Sequence, residues 1–136
     1  MSEKHGYVAW SELMTRDTAA ARSYYSDVCG WDYTAMTMDG GADYFVALSG
    51  GKEVVGIMDM TDVPGFEDVP PHWFTYLGVA DVDEAVNKTQ VAGGDVIRAP
   101  FDVPGIGRIA IIKDPTGAPL GLIAEAASPE QALSNG

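Results

Sequence analysis

The stretch Tyr7-Val-Ala-Trp-Ser-Glu-Leu13, followed by Asp17, an Ala-rich run carrying Tyr24 and Tyr25, and then Gly30-Trp31, decides the fold, because residues 73–96 repeat it. The second copy opens with the apolar run Trp73 to Val79, offers Asp81 or Asp83 as a cap, and continues through Val82, Ala85, Val86 and Thr89 to Gly93-Gly94. Each copy is an alternating strand, a side-chain oxygen at a helix start, a 3.6-residue apolar period and a glycine stop. Further short strands follow both. A period of sixty-odd residues predicts two copies of one small βαβββ module. Neither copy is large enough to bury a core alone, so the expected ligand position is a cleft between the modules.

The predicted fold is α+β, with two tandem βαβββ modules, each a curved sheet with its helix outside. The predicted division is residues 6–60 for the first module, 61–71 for a Pro-rich acidic linker, 72–126 for the second module and 127–136 for a tail, all within one domain of 1–136. In the first module, Thr15 or Asp17 caps a helix whose expected buried face is Ala20, Ala21, Tyr24, Tyr25 and Val28. Trp31 to Met38 and Tyr44 to Leu48 are expected to pair through Asp39-Gly40-Gly41, and Ser49-Gly50-Gly51 turns into Val54 to Met58. In the second, Asp95 to Ala99 is a strand and Pro100 to Gly107 a Gly/Pro loop, whose part from Asp102 to Gly107 could lie over the cleft with Arg108 at its base, there to meet an anionic ligand or, as the expected reading, to form a surface ion pair. Arg108 to Ile112 and Leu120 to Ala124 form a hairpin around Asp114-Pro-Thr-Gly117.

Composition excludes several partners. Twenty acidic residues against eight basic ones give a formal net charge of −12, and the basic residues form no stripe. Nucleic acid and anionic membrane both select for clustered Lys and Arg, so neither is expected to bind. No run is long and apolar enough to span a membrane, and no signal peptide is read at the start. The single cysteine, Cys29, allows no internal disulfide and is expected to be a buried, inert thiol. The expected location is the cytoplasm.

Trp-x-Glu-Leu-x-x-x-Asp from Trp10, Tyr-Tyr-x-x-x-x-Gly-Trp from Tyr24, and Asp-Pro-x-Gly from Asp114 resemble the vicinal oxygen chelate superfamily. This group holds glyoxalase I, extradiol dioxygenases and bleomycin-resistance proteins, and the likeness is to its glyoxalase-like branch. The resemblance implies a homodimer. It also implies a divalent metal held by His, Glu or Gln on the first and last strands of each module. Those positions fall here on Trp10, Gly56, Phe74 and Gly121. Two aromatics and two glycines offer a metal no side-chain donor. A displaced site would have to use Glu12, His72 and Glu125, with shifts of unequal size on the different strands. The other histidine, His5, lies near the N-terminus. No metal or other cofactor is therefore expected.

The residues that replace the ligands point to a metal-free cleft for a small molecule. Trp10, Phe74 and Tyr76, with Trp73 nearby, offer flat apolar surface, Gly56 and Gly121 leave room, and Met58 adds an adaptable wall, as does Met60; the structural alternative is that these aromatics fill a core and leave no cavity. Glu12 would be an anionic anchor, or the general base of a metal-free enzyme with Tyr7 or Tyr76 as acid. Its structural alternative is pairing with Arg16 or Arg108. A metal-dependent lyase, isomerase or dioxygenase is implied by family analogy alone. Binding and catalysis are both open, and the sequence names no ligand.

Overall fold

The computed structural model describes residues 5–37, 43–61, 63 and 66–126. Its elements run β1 (Tyr7–Thr15), α1 (Thr18–Cys29), β2 (Asp32–Thr37), β3 (Asp43–Ser49), β4 (Lys52–Asp59), then β5 (His72–Gly78), α2 (Val82–Val91), β6 (Asp95–Val103), β7 (Gly107–Lys113) and β8 (Pro119–Glu125). This is the βαβββ order twice over. By contacts the chain divides into Trp10–Thr75 and the paired segments Met1–Ala9 and Tyr76–Gly136, so the division falls inside β1 and β5. These are called the first and second units below.

In the first unit β2 and β3 pair antiparallel, as do β3 and β4, and β1 runs parallel to β4 with Glu12 opposite Gly56 and Met14 opposite Met58. Asp17 accepts the Ala20 backbone N–H at 2.9 Å and caps α1. Gly30 closes the helix in the left-handed conformation at φ 71°, which a Cβ would penalise. The helix lies on the sheet face of Leu13, Phe45 and Ile57: the Arg22 guanidinium sits 3.9 Å from the Phe45 ring centroid, and Tyr33 Oη donates to the Arg22 carbonyl at 3.1 Å. The expected burial of the helix is corrected. No residue of α1 is buried, and Tyr24 and Val28 are 57% and 58% exposed. Tyr25 is stacked on Trp31 at 5.4 Å and edge-on to Trp73 at 5.6 Å, and Tyr24 lies edge-on to Tyr25 at 4.8 Å. Cys29, on the last turn of that uncovered helix, is exposed rather than buried. Beyond β4, Val63, Phe66 and Val69 each donate to the carbonyl three residues back, so the described part of the Pro-rich stretch winds through successive turns. Arg16 holds it, donating to the Phe66 carbonyl at 2.6 Å and to the Glu67 carbonyl at 3.3 Å. The Asp39-Gly40-Gly41 turn and the 127–136 tail lie outside the described residues.

The second unit has its own core. Val82 and Val86 on α2 meet Ala110 and Ile112 of β7 and Leu122 of β8, with Leu77, Val79, Ala85 and Val96 around them. The helical spacing of Val82, Ala85 and Val86 in the sequence is thus the packed face. Asp81 caps α2 by accepting the Glu84 N–H at 3.0 Å. β5 runs parallel to β8 with Tyr76 opposite Gly121, and β7 pairs antiparallel with β8 and with β6. The β7–β8 turn is built as the Asp-Pro-Thr-Gly signal requires: Asp114 Oδ1 accepts from Thr116 N, Thr116 Oγ1 and Ala118 N. These bonds hold its carboxyl below the ordinary aspartate value, the Thr116 hydroxyl first among them.

The expected loop from Pro100 is also corrected. β6 continues to Val103 through two register shifts, between Val96 and Arg98 and between Arg98 and Phe101. Among the described residues of its unit β6 has a ladder partner on one side only, and an edge strand with bulges tolerates a proline that cannot donate. Arg108 locks this hairpin to α2. Its Nε and Nη2 donate to the Asp83 carboxylate at 2.8 and 2.9 Å, and Nη1 donates to Asp102 at 3.1 Å. The surface ion pair expected of Arg108 is present, and it leaves Glu12 to other partners. The Arg108 hydrogen bonds depress the Asp83 pKa, so the clamp's contribution is present above the unfolded carboxyl range and is lost as pH falls through the depressed value. The pair is exposed, so the effect is small and screened. Arg108→Leu is expected to lower the melting temperature slightly at pH 7, with the gap to wild type closing in strong acid and in molar salt. A gap independent of pH and salt would show that packing, not charge, carries the contact.

Candidate functional site

The sheet face of the first unit opposite α1 is where the predicted residues gather. Alternation places Trp10, Glu12 and Met14 of β1 on it, and register adds Gly56 and Met58 of β4 and Tyr44 and Val46 of β3. At its centre is a hydrogen-bonded set. Trp10 Nε1 donates to Tyr44 Oη at 2.9 Å, and Tyr44 in turn hydrogen-bonds Glu12. Glu12 is 5% exposed, while Trp10, Tyr44 and Met58 are half-buried. Burial chiefly, and then the Glu12 charge, push the Tyr44 phenol well above its ordinary value of 10.0. It is therefore a neutral donor to the carboxylate at any physiological pH.

Gly56 makes this arrangement possible. A Cβ built there would overlap the Tyr44 hydroxyl and lie 3.0 Å from Trp10 Nε1. The space expected to receive a ligand is occupied by the phenol, which corrects the idea that this glycine leaves room. Gly121 is a parallel case in the second unit: a Cβ there would overlap the Tyr76 ring, which lies flat over the strand. In the same unit Tyr7 covers Gly78 in the same way, and burial followed by the Glu125 charge raises its phenol pKa.

The other predicted residues fall as follows. Phe74 is 7% exposed and meets His72 edge-on at 6.3 Å. Trp73 is 41% exposed beside Tyr25, and Met60 is fully buried. His72 Nδ1 lies 2.8 Å from the Pro70 carbonyl, and Glu125 is exposed. His5 Nδ1 accepts the Ala80 backbone N–H at 3.1 Å, which ties the start of the described chain to the second unit. The cavity beside it, about 200 Å³, is lined by His5, Ala80, Asp81, Glu84, Ala85 and Lys88, none of which the sequence singles out for ligand binding. Among the described residues no three His, Cys, Asp or Glu side chains are grouped so as to hold a metal ion. The donor set at Trp10, Gly56, Phe74 and Gly121 does not fit one either, and at Gly56 and Gly121 an aromatic side chain fills the space a ligating side chain would need.

Tyr44 is the residue that sequence reasoning missed. Its partners lie 34 residues back in Trp10 and on β4 in Gly56. An aromatic one pleat from a strand glycine was the available signal, since a ring readily covers a position without a side chain.

No helix among the described residues is long and apolar enough to cross a membrane. Residues 6–122 match the model of the Glyoxalase/Bleomycin resistance protein/Dioxygenase superfamily. "Putative glyoxylase CFP32" of Mycobacterium tuberculosis is 40% identical over 121 residues, covering 88% of this chain and 46% of its own length. "Anthracycline biosynthesis protein DauV" of Streptomyces sp. strain C5 is 33% identical over 123 residues, covering 83% of this chain and 45% of its own. The chain thus spans about half the length of these relatives. In fold it is similar to the Streptomyces coelicolor methylmalonyl-CoA epimerase, solved in complex with 2-nitronate-propionyl-CoA, at TM-score 0.67 and 17% identity over 91% of this chain and 100% of that one. The chain belongs to the Glyoxalase/Bleomycin resistance protein/Dioxygenase superfamily.

Proposed function

We propose that this protein binds a small planar molecule without a metal, on the helix-free face that carries Trp10, Glu12, Tyr44 and Met58. One observation carries the reading. Where the family resemblance places metal ligands, the first unit has a Trp–Tyr–Glu hydrogen-bonded set closed over a glycine. Half-buried indole and phenol edges beside a thioether suit an aromatic ligand, since ring contacts add about 0.5–1.5 kcal/mol beyond area burial. Phe74 of the same unit is proposed as a further binding residue, and Tyr76 over Gly121 as a binding position on the second unit's own sheet. A relative whose name ties it to anthracycline biosynthesis agrees with a planar ligand class.

A second reading has its own support. The Tyr44–Glu12 hydrogen bond pairs a carboxylate with a neutral phenol, which is the equipment of a metal-free general base and acid. In that enzyme Tyr44 takes the place proposed from sequence for Tyr7 or Tyr76. The cytoplasm is the proposed location, supported by an exposed Cys29 that a reducing compartment keeps as a thiol. A homodimer is part of the proposal, supported by the exposed Tyr24 and Val28 on α1.

A thermal-shift series separates these readings from the metal-dependent one. Polycyclic aromatic probes are expected to raise the melting temperature, because a ligand at 100 times its Kd stabilises the folded state by about 2.7 kcal/mol. Nickel, zinc, manganese and iron(II) are expected to leave it unchanged, and protein purified without chelator is expected to carry no stoichiometric metal. A copurifying metal whose removal lowers the melting temperature overturns the proposal.

A further inference from the structure

Among the described residues the second unit's sheet also has a face without a helix, and it differs from that of the first. Register sets its contents. Arg98 stands opposite Ile111 and Phe101 opposite Ile109, while Ile111 stands opposite Gly121 and Gly121 opposite Tyr76. Val96, Ile112 and Leu122 belong to the opposite face, because they pack against α2 or its cluster. Crossing the strands from the edge, the helix-free face therefore presents a guanidinium, an isoleucine pair, and a tyrosine ring laid over a glycine. At about 4.8 Å per strand, the path from β6 to β5 is roughly 14 Å long, the length of a fused bicyclic acid with a short substituent.

Among the described residues Arg98 is set apart from the other three arginines by its donors and not by its ring contact, which Arg22 shares over Phe45 at 3.9 Å. Arg16 donates to backbone carbonyls, Arg22 donates to the Thr18 carbonyl, and Arg108 spends its donors on two aspartates. The Arg98 guanidinium carbon lies 3.6 Å from the Phe101 ring centroid. A ring face fixes the position of a guanidinium but takes none of its N–H bonds, so the fork is placed and its donors are still available. Among the described residues no carboxylate pairs with it, although acidic residues outnumber basic ones by twenty to eight in the chain. On β6 the flanking acids are Asp95, which stands opposite Lys113, and Asp102, which stands opposite Arg108 and is tied to it.

We propose that Arg98, seated on Phe101, is an oxyanion-binding arm, and that the ligand of this face is an aromatic carboxylate whose ring lies over Ile109 and Ile111. The carboxylate receives two parallel N–H bonds from the fork, and the apolar floor accepts the ring. This goes beyond the function proposed above, since it assigns a charge to the ligand and uses residues of the other unit.

The test uses the full chain at low salt with two probes, 2-naphthoate and the neutral 2-naphthalenemethanol, read by titration calorimetry. Wild type is expected to bind the acid at least tenfold more tightly than the alcohol, with the preference shrinking as salt rises. Arg98→Gln is expected to abolish the preference while leaving alcohol binding and the melting temperature unchanged, and Arg98→Lys to restore part of it, because an ammonium keeps charge but not the fork. Equal binding of the two probes by wild type, no binding of the acid, or a preference that survives in Arg98→Gln overturns the proposal. A stabilising metal would overturn the preceding section alone, since the acid-over-alcohol preference is measured without one.

Discussion

Gly56→Ala is expected to lower the melting temperature by roughly 10 °C, from a loss of about 3 kcal/mol in a chain of this size. The added methyl cannot share space with the Tyr44 hydroxyl, and the backbone around it is fixed by ladders to β3 and β1 on both sides. The phenol must swing out, which breaks its bonds to Trp10 and Glu12 and uncovers the strand. The decisive comparison is the double variant Gly56→Ala/Tyr44→Leu. If the methyl acts by evicting the phenol, the two changes together cost clearly less than their sum. Strict additivity would mean that Gly56 is needed for its backbone and not for the ring above it. A ligand that binds Gly56→Ala as tightly as wild type would also remove the Trp–Tyr–Glu set from the binding site.

Tyr44→Phe is the second large effect, at roughly 2–4 kcal/mol, because one deletion takes a hydrogen-bond acceptor from Trp10 and a donor from a carboxylate that is 5% exposed. Glu12→Gln keeps an acceptor of the same shape opposite the phenol and is expected to cost about 1 kcal/mol or less. The pH dependence separates charge from packing. The folded phenol titrates above the unfolded value of 10.0, so its stabilising contribution is complete below that pH and is lost as pH rises beyond it. The stability gap between wild type and Tyr44→Phe should therefore be widest at neutral pH and narrow above pH 10. Denaturant titrations at pH 7 and in the alkaline range measure it, and a gap that stays constant would mean that the phenol is not held neutral by its surroundings. Under the catalytic reading, Glu12→Gln abolishes turnover while stability is nearly unchanged. Activity that survives the substitution excludes Glu12 as the base.

How far the site could be read from sequence depends on the range of each contact. The repeated strand–cap–helix–glycine pattern is local, and Asp17, Gly30, Asp81 and the Asp114 turn appear where their chemistry places them. Counting along strands put Gly56 and Trp10 at the positions the family uses for a metal, and alternation put Glu12 on the same face as Trp10. The same alternation puts Tyr44 on one side of β3 but cannot say which ring will cover which glycine. That depends on the register between β3 and β4, and a one-residue slip would turn Tyr44 to the helix side.

Helix α1 shows the same limit. The periodicity of Ala20, Ala21, Tyr24 and Val28 marks an apolar face but carries no information about what covers it, and Tyr24 and Val28 stay exposed while Arg22 meets Phe45 of the sheet. Cys29 followed the same false inference. At Pro100 the error ran the other way. A missing N–H ends a strand only if a neighbour needs that donor, and β6 lies at the edge of its unit with bulges to absorb the fault.

What stands at the four expected metal positions was read through the family resemblance; by itself, then, the sequence determined the duplicated βαβββ order, the caps and the turns. These follow from the 2.0 and 3.6 residue periods and from the chemistry of single side chains, which act within a few residues. Only the tertiary structure decided that a tyrosine fills the place beside Gly56, that it links Trp10 to a buried Glu12, and that Arg98 rests on Phe101 with no carboxylate partner among the described residues. The first depends on the register between the neighbouring strands β3 and β4, and the second joins residues 34 apart in the chain. The third depends on two bulges that turn β6 so that both side chains leave the α2 side, and pleat alternation on its own would have put them on opposite faces.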